Sequence, residues 1–258
     1  MAKQILIHNN ILLWLGTVHL IIFLVLLFYA PFNEVVVLGI NSVIKPMKFA
    51  LSIWIYSWTM SIILFYVEDV KKVKIYSWVA VISMCFEQFA ITSQALRGQL
   101  SHFNRTDVYG IIMFSLMGVF ILTITLWTAY ITYIFIKQKT YAIPPVVVLG
   151  IQIGLIYFVI FSLFGGYISS TPGHTVGAVD GSEGMWFINW SKFFGDLRIA
   201  HFFGIHSLQL IPLFGVLATK YLPVHSQIKS VWFFSIFYLV FVLGVMVQGI
   251  MGLPFVKF

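Results

Sequence analysis

One short stretch of this sequence gathers most of the side chains that could do chemistry. It reads GDLRIAHFFGIHSLQ from Gly195 to Gln209, in a chain of which only 9% is charged. It carries five ionisable or amide residues: Asp196, Arg198, His201, His206 and Gln209. On a helix the last four share a face about 140° wide. Because ionisable groups are costly inside a bilayer, this face is expected to point into a helix bundle or a wet cavity.

Acid–base chemistry is the first function that these residue types favour. Glu87 lies in a second apolar segment, MCFEQFAITSQALRG, and a buried carboxylate there needs a partner or a proton. Carboxylates and imidazoles within reach of one another are the usual general acids and bases. The predicted catalytic residues are Glu87, Asp196, His201 and His206.

Basic and amide residues near helix ends could hold an anionic group of a lipid or another small amphiphile. Lys45 and Lys48 lie three residues apart and share a helical face with Ser52, Tyr56 and Thr59. The predicted substrate-binding residues are Lys45, Lys48, Gln94, Arg97, Arg198 and Gln209.

Histidines allow two cofactor hypotheses. A metal site would need convergence of His102, His174, Asp196 and His201, and nitrogen and oxygen ligands without thiolates suit zinc or iron better than copper(I). A haem would need two axial histidines, and His19 with His206 is the pair predicted nearest the membrane interior. The HExxH spacing of zinc-binding helices is absent.

Composition identifies the class of protein. The chain of 258 residues is 60% hydrophobic and 18% aromatic, which is typical of a polytopic membrane protein. The net charge of +7 comes from basic residues in short loops, so it indicates topology rather than nucleic-acid binding. Cys85 is the only cysteine, so no intrachain disulfide can form.

Seven apolar segments are long enough to cross a hydrocarbon core, which takes about 20 helical residues. They predict an all-α, seven-transmembrane-helix bundle that forms a single membrane domain, 1–258. The expected helices cover approximately 11–30, 46–67, 75–96, 109–136, 143–168, 199–218 and 231–253. A long loop, 169–197, separates the fifth and sixth helices.

The positions of basic residues predict the orientation in the cell membrane, or inner membrane. Lysines cluster in the short loops 68–74, 137–140 and 220–229, which alternate topology places on the side of the N-terminus. The positive-inside rule puts that side in the cytoplasm and the C-terminus outside. The polar site on helices 2, 3 and 6 would then open to the non-cytoplasmic side.

Several functions fit this site. The favoured one is a membrane enzyme or cofactor-binding protein that acts on a lipid or small amphiphile. The alternatives are a proton- or ion-coupled transporter that uses Glu87 and His206, and a haem-binding redox protein. An internal ion-pair network without chemistry, a scaffold and a receptor also stay open, and the oligomeric state does not follow from the sequence.

The predicted orientation can be tested with single cysteines in two loops. In intact cells an impermeant thiol reagent should modify Gly181→Cys, which is expected outside, and spare Thr140→Cys, which is expected inside. The opposite labelling pattern would invert the topology and move the polar site to the cytoplasmic leaflet.

Overall fold

The structure is a computed structural model that describes residues 9–105, 107–181 and 184–256. It is all-α, and seven of its helices are long and apolar enough to cross a membrane, as the sequence predicts. These helices are α1 (Asn10–Tyr29), α2 (Ile44–Leu64), α3 (Val70–Leu96), α4 (Val108–Lys137), α5 (Pro145–Ser170), α6 (Leu197–Tyr221) and α7 (Val224–Ile250).

Two helices begin earlier than their apolar segments. Helix α3 starts at Val70 because the side chain of Asp69 accepts a hydrogen bond from the backbone N–H of Lys72 at 3.0 Å and caps the first turn. Helix α7 starts directly after Pro223. Both first turns carry lysine, glutamine or histidine, so hydropathy alone does not include them in a membrane span.

The single domain expected from the sequence divides into two compact units, with α4 split between them at Ile124. The first unit holds the described residues of Met1–Phe65, Asp69–Ile124 and Val179–Trp190. The second holds the described residues of Tyr66–Glu68, Thr125–Ala178 and Ser191–Phe258.

In the first unit α1, α2 and α3 pack against one another. The ring of Trp58 lies against Gly16, where a side chain would collide with it, and its Nε1 donates to the carbonyl of Leu13 at 3.3 Å. Asn9 donates from Nδ2 to Oγ of Ser77 at 2.9 Å and so joins α1 to α3. These contacts fix the three helices that carry the polar residues of this unit.

A short hairpin and an asparagine network join α1 to α2. Strands β1 (Val36–Val37) and β2 (Ile40–Asn41) pair antiparallel across Leu38 and Gly39, which both have positive φ. Asn41 donates from Nδ2 to the backbone carbonyls of Ala30 and Asn33, at 2.8 and 2.9 Å. The first turn of α2 is therefore held against the end of α1.

Helix α3 ends in a Schellman motif. Gly98 has φ +66°, its N–H donates to the carbonyl of Ala95 at 3.1 Å, and the N–H of Gln99 donates to the carbonyl of Gln94 at 2.9 Å. The motif reverses the chain directly after Arg97. Residues 99–105 consequently lie over the end of α3.

In the second unit α5 and α6 meet along a line of glycines. A Cβ at Gly154 would lie 2.9 Å from the backbone oxygen of Ser207, and one at Gly150 would lie 3.0 Å from that of Ile211. Pro212 lies inside α6 at this contact. Small residues allow helix backbones to approach closely and are the usual packing device in a bilayer.

The long loop ahead of α6 contains a second strand pair. Strand β3 (Thr175–Val176) pairs antiparallel with β4 (Gly195–Asp196), with Thr175 opposite Asp196. The N–H of Leu197 donates to the carbonyl of His174 at 3.0 Å. The loop therefore returns to the first turn of α6 and brings His174 to Asp196.

The glycine contact can be tested with two substitutions on the same helix. Gly154→Ala should destabilise the protein by about 1–3 kcal/mol, because the new methyl group presses on the backbone of α6. Gly166→Ala is the control, since a Cβ there would meet no described atom within 4 Å. Thermal unfolding in detergent measures both, and equal stability of the two variants would contradict the close contact.

Candidate functional site

One face of α3 is polar although it is buried in the first unit. Ser83, Glu87 and Gln94 recur at spacings of four and seven residues, so they share this face, and each is at most 1% exposed. The spacing in the sequence predicts a face that also includes Arg97, but the Arg97 side chain is 41% exposed. A buried carboxyl group in the middle of a membrane-spanning helix is its central feature.

Glu87 has one electrostatic partner and an unused oxygen. Lys45, at the start of α2, is close enough to interact with its charge. Its Oε1 is buried and accepts no hydrogen bond from any described residue. A carboxylate that lacks hydrogen bonds away from water is costly, so Glu87 is held in an incomplete environment.

Lys45 links Glu87 to the turn that follows α3. Its Nζ donates to Nδ1 of His102 at 3.2 Å, and Oγ of Ser101 lies 3.3 Å from the same nitrogen. An ammonium group can only donate, so Nδ1 of His102 is the acceptor. A line of polar groups thus runs from Glu87 through Lys45 to the turn after α3.

His19 on α1 faces the same part of α3. It is 1% exposed, and its Nδ1 donates to the backbone carbonyl of Leu15 at 2.8 Å. Its Nε2 faces the backbone carbonyl of Met84 but makes no well-aligned hydrogen bond with a described residue. In the neutral ring only one nitrogen carries a proton, so His19 can donate to only one of these two carbonyls at a time.

Gln88 is a further buried polar residue of α3, and the sequence analysis did not identify it. Its Nε2 donates to the carbonyl of Pro46 at 3.3 Å and to Oγ1 of Thr92 at 3.0 Å, so its Oε1 is the remaining atom. That oxygen is buried and has no hydrogen-bond partner in the described part of the chain. The available signal was an amide directly after a glutamate inside an apolar helix.

The predicted anion-binding residues of the first unit have protein partners. Arg97 donates to Oε1 of Gln94 at 2.7 Å and to Oδ2 of Asp107 at 2.8 Å, and its guanidinium lies 4.5 Å from the Tyr109 ring centre. The pKa of Asp107 is lowered by the backbone hydrogen bond from Gly110 and by Arg97. Arg97 therefore closes the turn after α3.

Lys48 is bound to the long loop. Its Nζ donates to the backbone carbonyl of Ile188 at 3.0 Å, and the neighbouring Phe187 packs against the cluster of Leu26, Val43 and Met47. The segment 184–190 of the first unit thus folds back over the ends of α1 and α2. The sequence predicts a long loop at 169–197, and its aromatic residues are typical of a segment at the interface or folded back over the bundle, but it does not predict these contacts.

In the second unit Asp196 is fully engaged. Arg198 donates to it from its backbone N, Nε and Nη2 at 3.1, 2.9 and 2.6 Å, and the N–H of Ser191 donates at 3.1 Å. Nδ1 of His174 lies 3.8 Å from Oδ1. Burial favours the neutral acid, but Arg198 and His174 outweigh it and lower the pKa of Asp196. Asp196 caps α6 and fixes the loop.

The remaining predicted residues of α6 contact other residues of the second unit. Nδ1 of His201 donates to the backbone carbonyl of Phe161 at 2.7 Å, and its ring lies against Gly165. Nδ1 of His206 lies 3.2 Å from Oε1 of Gln209. Both imidazoles are therefore oriented by their neighbours, as in an ordinary helix contact.

The cofactor hypotheses gain no support. No group of three or more His, Cys, Asp or Glu side chains that could hold a metal ion occurs in residues 9–105, 107–181 and 184–256. The metal set of His102, His174, Asp196 and His201 therefore stays a prediction without structural support. The haem pair also stays a prediction, since His19 belongs to the first unit and His206 to the second.

Comparisons with known proteins add no identification. No protein-family model, curated protein or solved structure matches this chain.

The role of Asp196 predicts a dependence of stability on pH. A lowered pKa in the folded state adds stability above about pH 4, where the unfolded group ionises, and this stability is lost as the pH falls through the folded pKa. Asp196→Asn should cost about 3 kcal/mol at pH 7 and flatten the loss in acid. Thermal unfolding between pH 3 and pH 8 measures it, with the exposed Glu34→Gln as control. An unchanged acid profile in Asp196→Asn would contradict this role.

Proposed function

We propose that the protein is a proton-coupled membrane transporter whose proton-binding site lies on α1 and α3. One observation carries the proposal: the buried Oε1 atoms of Glu87 and Gln88 accept no hydrogen bond from any described residue. His19, whose Nε2 faces the Met84 carbonyl, is the titratable residue of α1 nearest to them in the contacts of this unit.

These side chains belong to one unit. The ring of His19 faces the backbone of Met84 on α3, and Glu87 and Gln88 follow Met84 by three and four residues. Glu87 and Gln88 project about 100° apart, and the Gln88 amide reaches the carbonyl of Pro46 on α2. The two residues therefore lie within one turn of α3, of about 5.4 Å.

A proton supplies the donor that this region lacks. On Glu87 it creates an O–H donor, and on His19 it creates a second N–H donor. Either form satisfies acceptors that are otherwise left unpaired away from water, at a cost of about 1–3 kcal/mol each.

A route for exchange is available within the first unit. Lys45 interacts with Glu87 and contacts His102, which lies in the turn that follows α3. Ionisable residues within membrane spans typically mark ion pathways and proton relays. By the predicted topology this route leads to the non-cytoplasmic side.

The enzyme hypothesis from the sequence has less support. It needs Arg97 and Arg198 to hold an anionic group, but Arg97 pairs with Asp107 and Arg198 with Asp196, at 2.8 and 2.6 Å. Both guanidinium groups are thus neutralised by carboxylates of this chain. The buried acceptors of the first unit suit a proton or another cation instead.

The proposal is tested by proton binding at Glu87. In proteoliposomes adsorbed on a solid-supported membrane, a jump to acidic pH should give a transient inward charge movement. Glu87→Gln should abolish it, because an amide cannot take up a proton, while Glu87→Asp should retain it with a shifted pH dependence. His19→Gln should slow it.

Two controls make the outcome decisive. Glu34→Gln, which removes an exposed carboxylate of the same unit, should leave the signal unchanged. Thermal unfolding in detergent should confirm that Glu87→Gln is folded. A folded Glu87→Gln protein with the full wild-type signal would overturn the proposal.

A further inference from the structure

We infer that one end of the second unit binds anionic phospholipids, through exposed lysines of α4, α6 and α7. The lipid phosphate would lie at the lysines, and the acyl chains would follow apolar residues on the same helix faces. This binding goes beyond the proton-coupled function and does not depend on it.

Helix contacts place these lysines at one end of the unit. A Cβ at Gly215 of α6 would lie 3.0 Å from the backbone oxygen of Val146, so the C-terminal part of α6 lies beside the start of α5. The segment 138–144 joins α4 to α5, and residues 222–223 join α6 to α7. We call this end the lysine end, and it carries Lys137, Lys139, Lys220 and Lys229.

The lysine end is positively charged and poor in acids. All four lysines are exposed. Glu68, the acid of the second unit at this end, accepts a hydrogen bond from Oγ1 of Thr140 at 3.0 Å. None of Lys137, Lys220 and Lys229 forms an ion pair with a described residue. An anionic partner from outside the chain can therefore bind these ammonium groups.

On α7 a lysine begins an exposed apolar face. Four residues recur at spacings of four, three and four, and so share one side of the helix: Lys229, Phe233, Ile236 and Val240. The three apolar side chains are 75%, 55% and 63% exposed, in a helix long and apolar enough to cross a membrane. A phospholipid has the same order, a charged group followed by apolar chains. One lipid can thus contact the lysine and the apolar side chains together.

Helices α4 and α6 carry lysine beside exposed tyrosine in their last turns. Nζ of Lys137 lies 5.8 Å from the ring centre of Tyr133, and Nζ of Lys220 lies 5.1 Å from that of Tyr221. Both tyrosines are exposed. Tyrosine at the end of a membrane helix is typical of the headgroup level, where lysine ammonium groups also reach water. The ammonium groups are therefore held where lipid phosphates lie.

Charge decides which lipid is preferred. A lysine close to an anionic membrane surface favours binding by about fivefold, and the attraction falls off within about 10 Å. Phosphatidylcholine has the same acyl chains but no net charge, so it gains little from such a lysine. By the predicted topology the lysine end lies in the cytoplasmic leaflet, which carries anionic lipids.

The binding is tested with brominated lipids, because α7 contains its own fluorescent reporter. Trp232 follows Lys229 by three residues and is 49% exposed, so a lipid at this face can quench it. Purified protein is reconstituted in phosphatidylcholine vesicles that contain the same mole fraction of brominated phosphatidylglycerol or brominated phosphatidylcholine. The difference between wild type and Trp232→Phe isolates Trp232. Its quenching should show an affinity about fivefold higher for phosphatidylglycerol, and high salt should reduce this preference.

Two double variants separate charge from the other properties of the lysines. Lys220→Gln with Lys229→Gln should make the quenching of Trp232 equal for the two lipids. Lys220→Arg with Lys229→Arg is the matched control and should keep the preference, because it keeps the charge. Both leaflets of the vesicles have the same composition, so the orientation of the protein does not affect the result. Thermal unfolding in detergent should show that the variants are folded.

Equal quenching of wild-type Trp232 by the two brominated lipids would overturn the inference. A preference that survives in the folded glutamine variant would also overturn it, since groups other than these lysines would then hold the lipid. Loss of the preference in the arginine variant would show that charge is not what is recognised, with the same consequence. None of these measurements depends on the protonation of Glu87, so the proton-coupled function is decided separately.

Discussion

The constraint that governs this structure is hydrogen bonding away from water. A backbone that crosses hydrocarbon must satisfy its own N–H and C=O groups, and continuous helices do so within each segment. Seven helices of 20 to 30 residues meet this requirement. Side chains are under the same requirement, but here it is met unevenly. The difference between satisfied and unsatisfied polar groups distinguishes structural residues from functional candidates.

Asp196 and Glu87 illustrate that difference, since both carboxyl groups are 1% exposed. Each oxygen of Asp196 accepts hydrogen bonds from Arg198, and one accepts a further bond from the N–H of Ser191. Protein donors therefore take the place of water at both oxygens of Asp196, and this carboxyl group fixes the start of α6. Glu87 has the countercharge of Lys45 and an oxygen without a donor in the described residues. The same functional group has a full set of donors in one place and an incomplete set in the other.

Much of the fold could be predicted from the sequence because a helix that crosses hydrocarbon must be both apolar and about 20 residues long. The apolar segments give the number of spans, and the four- and seven-residue spacing of Ser83, Glu87 and Gln94 gives the buried face of α3. The early start of α3 was missed because a cap at Asp69 stabilises a polar first turn that hydropathy does not register. The two compact units do not follow from the sequence, since they depend on which helices touch and not on what each contains.

The partners of the polar residues were the least predictable part. The sequence grouped Asp196 and Arg198 with the chemistry of α6, but the strand pair β3–β4 turns them into a buried ion pair with a structural role. It assigned Gln94 and Arg97 to substrate binding, but the Schellman turn at Gly98 joins them to each other. Gln88 was overlooked because one residue after Glu87 corresponds to about 100° around a helix, off the face that periodicity identifies.

A static polar network accounts for the Asp196 group of the second unit but not for Glu87 and Gln88 of the first. In a network that only fixes helix register, donors and acceptors should be matched, because every unmatched buried group weakens the packing it is meant to support. The His174, Asp196 and Arg198 group meets that condition. Glu87 and Gln88 instead each carry an oxygen without a donor among the described residues, and substitution of either by leucine or methionine would remove a buried unsatisfied atom at little steric cost. The donor that Glu87 and Gln88 lack is the one that the proposed proton would supply.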